Sequence, residues 1–219
     1  MKNSEALKFF HHMATAKECN PQSVKLAHNT DYTSIDATFI LQYADKNSSV
    51  LDIGSGTGLT INKIYDKVQT IECVEPFKRF TDFITNSDNV IIHNCNVYDY
   101  ETTKVFDVVT LFGVMHYFSE DEVIKVYKKC YGLLKKGGII IVKNQFGIHE
   151  TVEVSGYSEE NKTNYYSSYR KLDEEMDILK NIGFENIEVH DIYPPEANRW
   201  DNTHFYAIVG RKPLDEEQK

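Results

Sequence analysis

From Val50 onward the chain alternates short apolar runs with segments of helical period, and that alternation restricts it to a narrow set of folds. Val50–Ile53 is an apolar run delivered into the turn Gly54-Ser55-Gly56-Thr57-Gly58, and Leu59–Val68 then has helical spacing. Thr70–Val74 is strand-like and closed by Glu75-Pro76, Phe77–Thr85 is helical, and Val90–Ile92, Phe106–Phe112 and Ile139–Val142 add three strands. Ser119 and Glu122 form a capping box for a helix predicted to run to about Leu134, with Lys135-Lys136-Gly137-Gly138 as its cationic, glycine-stopped end. Leu172–Ile182 is a helix ended by Gly183, and the last strands, Ile187–Tyr193 and Phe205–Val209, have no helix between them. Strands that alternate with helices make a parallel sheet covered on both faces, whereas two strands joined directly pair antiparallel. The expected fold is therefore α/β, a seven-stranded mixed sheet with its last strand antiparallel.

Leu7, Phe9, Phe10 and Met13 recur at helical spacing, as do Ile35, Phe39, Ile40 and Tyr43 behind Ser34, the expected N-cap. Residues 1–48 thus read as a helical N-terminal cap and 49–213 as the core, with 214–219 a flexible tail. The polar, Tyr-rich stretch 144–168 reads as irregular and too long for a connector, so an insertion over about 144–170 is expected to act as a lid. Acidic residues number 33 against 24 basic ones, a net charge of −9, which argues against a nucleic-acid partner. The first twenty residues lack the apolar run of a leader, and no segment approaches the ~18–20 apolar residues of a membrane helix. A cytoplasmic protein with no membrane partner is expected. The four cysteines form no C-x-x-C pair and read as buried, reduced thiols.

The chemistry concentrates at Val50–Gly58. Glycines there permit positive φ and close approach of a ligand to the backbone, and the next helix points its first amides at that ligand. Glu75 ends the following strand about 20 residues on, where a carboxylate can hold a ribose diol. The dinucleotide fingerprint G-x-G-x-x-G would need glycine at Leu59, but here the third glycine, Gly58, comes one residue early.

The G-x-G-x-G turn after a hydrophobic-Asp strand resembles motif I of the class I S-adenosylmethionine-dependent methyltransferases. Glu75, Cys95-Asn96-Val97, Phe106–Phe112, Leu133-Leu134-Lys135-Lys136-Gly137-Gly138 and the terminal hairpin match the family's later elements in order. The resemblance spans about residues 35 to 210 and implies a Rossmann-like core with S-adenosylmethionine as cofactor and S-adenosylhomocysteine as product. It assigns cofactor contacts to Asp52, Gly54, Ser55, Gly56 and Gly58, to Glu75 and Pro76 at the ribose, to Asn96 and Val97 at the adenine, and to Phe112 near the methionine ammonium. Two positions depart from the family pattern: Asn96 stands where relatives carry Asp, and Lys136 precedes the glycines where they carry Pro.

Methyl transfer is an in-line displacement governed by positioning, and it requires no metal. Catechol-type relatives place acidic metal ligands after the fourth strand, whereas this chain has Phe112-Gly113-Val114, so no metal is expected. His116, on the same loop, is the candidate base, with hydrogen-bonded packing as its competing role. His12, Tyr32, Asn144, Tyr166, Arg170, Arg199 and Trp200 are expected to border the acceptor, with Gln145, Tyr165, Tyr169 and His204 from the same segments. Arg170 and Arg199 suggest an anionic small-molecule acceptor, a phosphorylated or nucleotide-linked sugar or surface-glycan precursor methylated at O or N. Pairing with Asp173, Glu196 or Asp201 is the competing role for those arginines. A protein or RNA methyltransferase, or a non-catalytic binding module, remains the alternative. The chain has Leu-Phe-Gly-Val-Met-His-Tyr where amino-methylating nucleic-acid enzymes carry an (Asp/Asn)-Pro-Pro-(Tyr/Phe) motif.

Overall fold

The computed structural model describes residues 2–24, 31–158, 163–198 and 200–214. Arg199 and residues 215–219, most of the expected tail, lie outside them. Two helices, α1 (Lys2–Thr15) and α2 (Thr33–Ile40), precede the sheet strands β1 (Ser49–Ile53), β2 (Thr70–Val74), β3 (Val90–His93), β4 (Phe106–Phe112) and β5 (Leu134–Gly147). Single helical turns α3 (Ile61–Ile64) and α4 (Lys78–Thr81) follow β1 and β2, and α5 (Glu120–Leu133) precedes β5. A hairpin of β6 (Val152–Ser158) and β7 (Thr163–Tyr169), then α6 (Leu172–Ile182), β8 (Glu185–His190) and β9 (Thr203–Arg211) complete the chain.

The seven sheet strands run in the order β3-β2-β1-β4-β5-β9-β8, and β9 is antiparallel to both neighbours. This is the expected Rossmann-like mixed sheet. Strand alternation divides the core. Leu51, Val109, Ile140 and Val142 face α5 and α6, while Val50, Val108, Ile139 and Ile141 face α2 and α3. No helix among the described residues is long and apolar enough to cross a membrane.

Local corrections follow from side-chain capping and strand pairing. The chain enters α2 at Thr33, whose amide (2.9 Å) and hydroxyl (2.6 Å) both donate to Asp31, so Ser34 is not the N-cap. The helix expected after β1 is α3 continued by a 3-10 turn, Tyr65–Lys67, and the one expected after β2 shrinks to the single turn α4. Asn62 links them, donating to the Phe83 carbonyl (3.0 Å) and accepting from the Thr85 amide (2.7 Å). The capping box of Ser119 and Glu122 forms as expected. Lys135–Gly138 do not stop α5, however: Leu134 already begins β5, and the two glycines absorb a register shift against β4. Nor is 144–168 irregular. β5 continues to Gly147 paired with β9, and β6 and β7 pair from Val152↔Tyr169 to Ser158↔Thr163. Alternating Tyr, Val, Ser and Thr favour this extended form.

Candidate active site

A cavity of about 320 Å³ opens at the C-terminal ends of β1, β2, β4 and β5. It lies where the strand order reverses between β1 and β4, the crevice that an open α/β sheet leaves for ligands. From one end to the other it runs from Glu75 beyond β2, past the loop after β1 and Phe112 of β4, to Lys143 of β5 and Phe205 of β9.

Gly54 and Gly56 line its floor with φ of +77° and +51°. A Cβ on Gly54 would fall inside the Val114 side chain, so only glycine closes this turn. Gly58 has φ +72° and, unlike Thr57 and Leu59 on either side, does not line the cavity. Its added Cβ would stand 2.5 Å from Ile84 Cγ1 and 3.3 Å from Ile84 Cα, so it seats the loop on the neighbouring turn. Gly58→Ala is expected to lower stability by about 2–4 kcal/mol through strain and overpacking, read by urea unfolding. A loss below about 0.5 kcal/mol would contradict that packing role.

The buried Glu75 carboxylate accepts the Gly56 amide on Oε2 and the Phe77 amide on Oε1, both at 3.0 Å. Burial pushes this carboxyl up to about 7; the two amides pull it down, and Asp52 adds to the rise. Burial also raises the Asp52 carboxyl, while Thr110, donating to it at 2.5 Å, acts in the opposite direction. Ser55, Pro76, Val97 and Phe112 line the same cavity. Asn96 lines it too, accepting the Tyr98 amide at 3.0 Å and reaching the Asn3 side-chain oxygen of α1 at 3.4 Å through its NH2. A carboxylate at 96 could not donate to Asn3.

The helix α1 covers this end with one stripe: Asn3, Ala6, Leu7 and Phe10 line the cavity. His12 lies on the exposed side of α1, which removes it from the acceptor set. Tyr32 lines the cavity and packs on Tyr193 at 5.0 Å between centroids. His116 also lines it, on a 3-10 turn after β4, with Nδ1 3.2 Å from the Asn144 side-chain oxygen. Its ring packs against Tyr117 and Tyr169 at 4.0 and 5.3 Å. Asn144 itself is buried outside the cavity wall, so it orients His116 rather than touching an acceptor.

The remaining expected acceptor residues are corrected. Tyr166 points to the outer face of β7 and donates to Glu153 at 2.8 Å, because alternation turns Tyr165 and Tyr169 inward instead. Trp200 is exposed, and its Nε1 donates to Tyr169 at 3.2 Å. Arg170 is buried away from the cavity. Its Nε donates to Glu175 at 2.5 Å, Nη1 to the Phe118 carbonyl at 3.0 Å and Nη2 to the Met115 carbonyl at 2.6 Å. Of the other residues from these segments, Gln145 and Tyr169 line the cavity, while His204 bonds Asp191 at 2.8 Å.

Sequence reasoning missed Lys143, Asp36 and Tyr193. Lys143 Nζ lies 3.2 Å from Asp36 Oδ2 and donates to Tyr193 Oη at 2.8 Å, and Tyr193 donates to Asp36 Oδ1 at 2.7 Å. The signal was present: Lys143 continues the face of Ile139 and Ile141, and Asp36 shares the buried face of Phe39 and Ile40. Charges at core positions of an apolar pattern call for explanation. Among the described residues, no group of three His, Cys, Asp or Glu side chains could hold a metal ion.

Residues 50–138 match the model of a methyltransferase domain family. No curated protein matches the sequence. Among solved structures, a DhpI–SAH complex is similar over 98% of both chains, with a TM-score of 0.71 at 14% identity. The N-methyltransferase NodS from Bradyrhizobium japonicum WM9, bound to S-adenosyl-L-homocysteine, is similar over 96% of this chain and 99% of its own (TM-score 0.66, 12% identity). A phosphoethanolamine N-methyltransferase 2 from Haemonchus contortus, bound to phosphomonomethylethanolamine and S-adenosylhomocysteine, matches 96% of this chain and 57% of its own (TM-score 0.64, 15% identity).

Proposed function

We propose, from the match of residues 50–138 to a methyltransferase domain family and from the fold, that the chain is an S-adenosylmethionine-dependent methyltransferase that acts on a small polar molecule at oxygen or nitrogen without a metal. When bound, S-adenosylmethionine supplies a methyl group on a sulfonium leaving group. The observation that carries the reading is Glu75: a buried carboxylate at one end of the cavity, facing the glycine floor and held by two backbone amides. In that position it would accept the ribose hydroxyls. Gly54 and Gly56 would admit the cofactor's amino-acid and ribose parts, Asn96 and Val97 would border the adenine, and α1 would exclude water from above.

The other end of the cavity belongs to the acceptor, where His116 is placed to orient it or take its proton, with Asn144 fixing the ring. The polar groups of His116, Lys143 and Gln145 on the cavity lining favour a polar acceptor. The absence of acidic side chains at Phe112-Gly113-Val114 supports metal-independent transfer. The proposal is tested by calorimetric titration with S-adenosylhomocysteine and, in parallel, NADH. Micromolar binding of the first and none of the second is expected; the reverse would replace the methyltransferase reading with a dinucleotide one.

A further inference from the structure

Lys143 is buried, yet it lies on the cavity wall and brings its ammonium into an aromatic enclosure. Strand register places Phe112 of β4 beside it, and Phe205 of β9 pairs with Gln145, two residues further along the same face of β5. The ammonium stands 5.2, 4.7 and 5.8 Å from the ring centroids of Phe112, Tyr193 and Phe205. Its described hydrogen-bond partners are Asp36 and Tyr193. An ammonium has three donors, so a third N–H remains for a ligand.

A lysine in this position needs a reason. A buried ion pair is on average no more stabilising than apolar side chains of the same volume. An aromatic enclosure with a carboxylate would otherwise make a seat for a cationic ligand. Here the chain's own ammonium fills that seat. What remains is a single positive donor, desolvated by three rings and therefore strengthened toward an anionic oxygen. It stands at the end of the cavity opposite Glu75, beyond the glycine floor and Phe112.

We propose that Lys143 is the acceptor anchor, and that the acceptor carries an oxyanion group, a phosphate, phosphonate or carboxylate, bound by the third N–H of its ammonium. This rests on the methyltransferase reading only in calling the ligand an acceptor; the oxyanion site stands on its own geometry. Asp36 is a positioning residue. It fixes the ammonium together with Tyr193 and moderates the affinity by its own charge.

The test is a titration of the ¹⁵N-labelled full chain, free and with S-adenosylhomocysteine, by phosphate, acetate and ethylammonium at constant ionic strength. Amide shifts near Gly113, whose N–H donates to the Lys143 carbonyl at 2.7 Å, report binding. Saturable binding of phosphate or acetate with a Kd of about 1–10 mM is expected, and whichever binds more tightly names the source of the oxyanion. Ethylammonium should not saturate. Lys143→Met should weaken oxyanion binding at least tenfold, and Asp36→Asn should tighten it about threefold or more. Wild-type protein that saturates with ethylammonium but with neither anion overturns the proposal, as does Lys143→Met binding like wild type. If Lys143→Met does not fold, Asp36→Asn decides, and unchanged or weaker anion binding in that variant refutes the anchor. Failure of S-adenosylhomocysteine to bind, with oxyanion binding intact in the free chain, would instead remove the methyltransferase reading and leave the site.

Discussion

Arg170→Met is expected to destabilise the protein by about 3–5 kcal/mol, the usual cost of leaving a buried charge without its partner. Arg170 bonds Glu175 through Nε and reaches its second oxygen with Nη2 at 3.4 Å, while Tyr127 also donates to that carboxylate. Glu175 has no solvent exposure, so its charge would have neither water nor a counter-ion. The carbonyls of Met115 and Phe118, which bracket His116 and Tyr117, would lose donors as well. The double variant Arg170→Met/Glu175→Leu should recover a large part of the loss, giving a coupling energy above about 1 kcal/mol in a double-mutant cycle. Urea unfolding of the four proteins measures it. A single-variant loss under about 1 kcal/mol would mean that Arg170 is free to serve an acceptor after all.

Glu75→Ala is expected to weaken S-adenosylhomocysteine binding by about 2–3 kcal/mol, roughly 30- to 150-fold, since a carboxylate accepting hydroxyl donors is removed. Wild-type binding should also depend on pH in a definite direction. Burial holds the carboxyl at about 7 in the unliganded protein, and ribose hydroxyls donate best to the ionised form. Affinity should therefore rise as pH increases through about 7 and level off above it, falling by up to tenfold per unit on the acid side. Stability of the unliganded chain moves the other way. The folded carboxyl holds its proton more tightly than the unfolded one, so this group's contribution is present at low pH and is lost as pH rises from about 4.5 to about 7. Glu75→Gln should flatten both profiles. Calorimetry and thermal melts between pH 5 and 8.5 measure them, and a pH-independent affinity in wild type would exclude Glu75 from the cofactor seat.

The residues proposed for the cofactor half were legible as one cluster because they are local in sequence. A strand, a glycine turn and an acid at the next strand's end are specified within residues 50–75. Gly58 has a conformation that fits a ligand loop equally well; only Ile84, brought under it by the turn after α4, shows that it also packs. The acceptor half depends on pairings between distant segments. Lys143 meets Tyr193 and Phe205 only because β9 inserts between β5 and β8, and Arg170 turns inward because Glu175, one turn into α6, is buried against Tyr127. Polarity and tyrosine content suggested an irregular lid at 144–168, where period-two alternation instead makes a hairpin. The capping box of α5, by contrast, was readable because both partners lie within one helical turn.

The continuation of β5 past the parallel strands separates two kinds of genetic change. Residues 143 and 145 face the cavity, while 144 and 146 face His116 and the core on the other side. On the proposed reading, substitutions at 143 and 145, and at Phe205 on the partner strand, would retune directly which molecule is accepted, whereas Asn144 would act only through His116 and Phe146 only through the core. The glycine turn and Glu75 sit on other strands altogether. On that reading, such an arrangement would let one cofactor site diverge toward many acceptors by point changes along a single strand, with no redesign of the glycine turn.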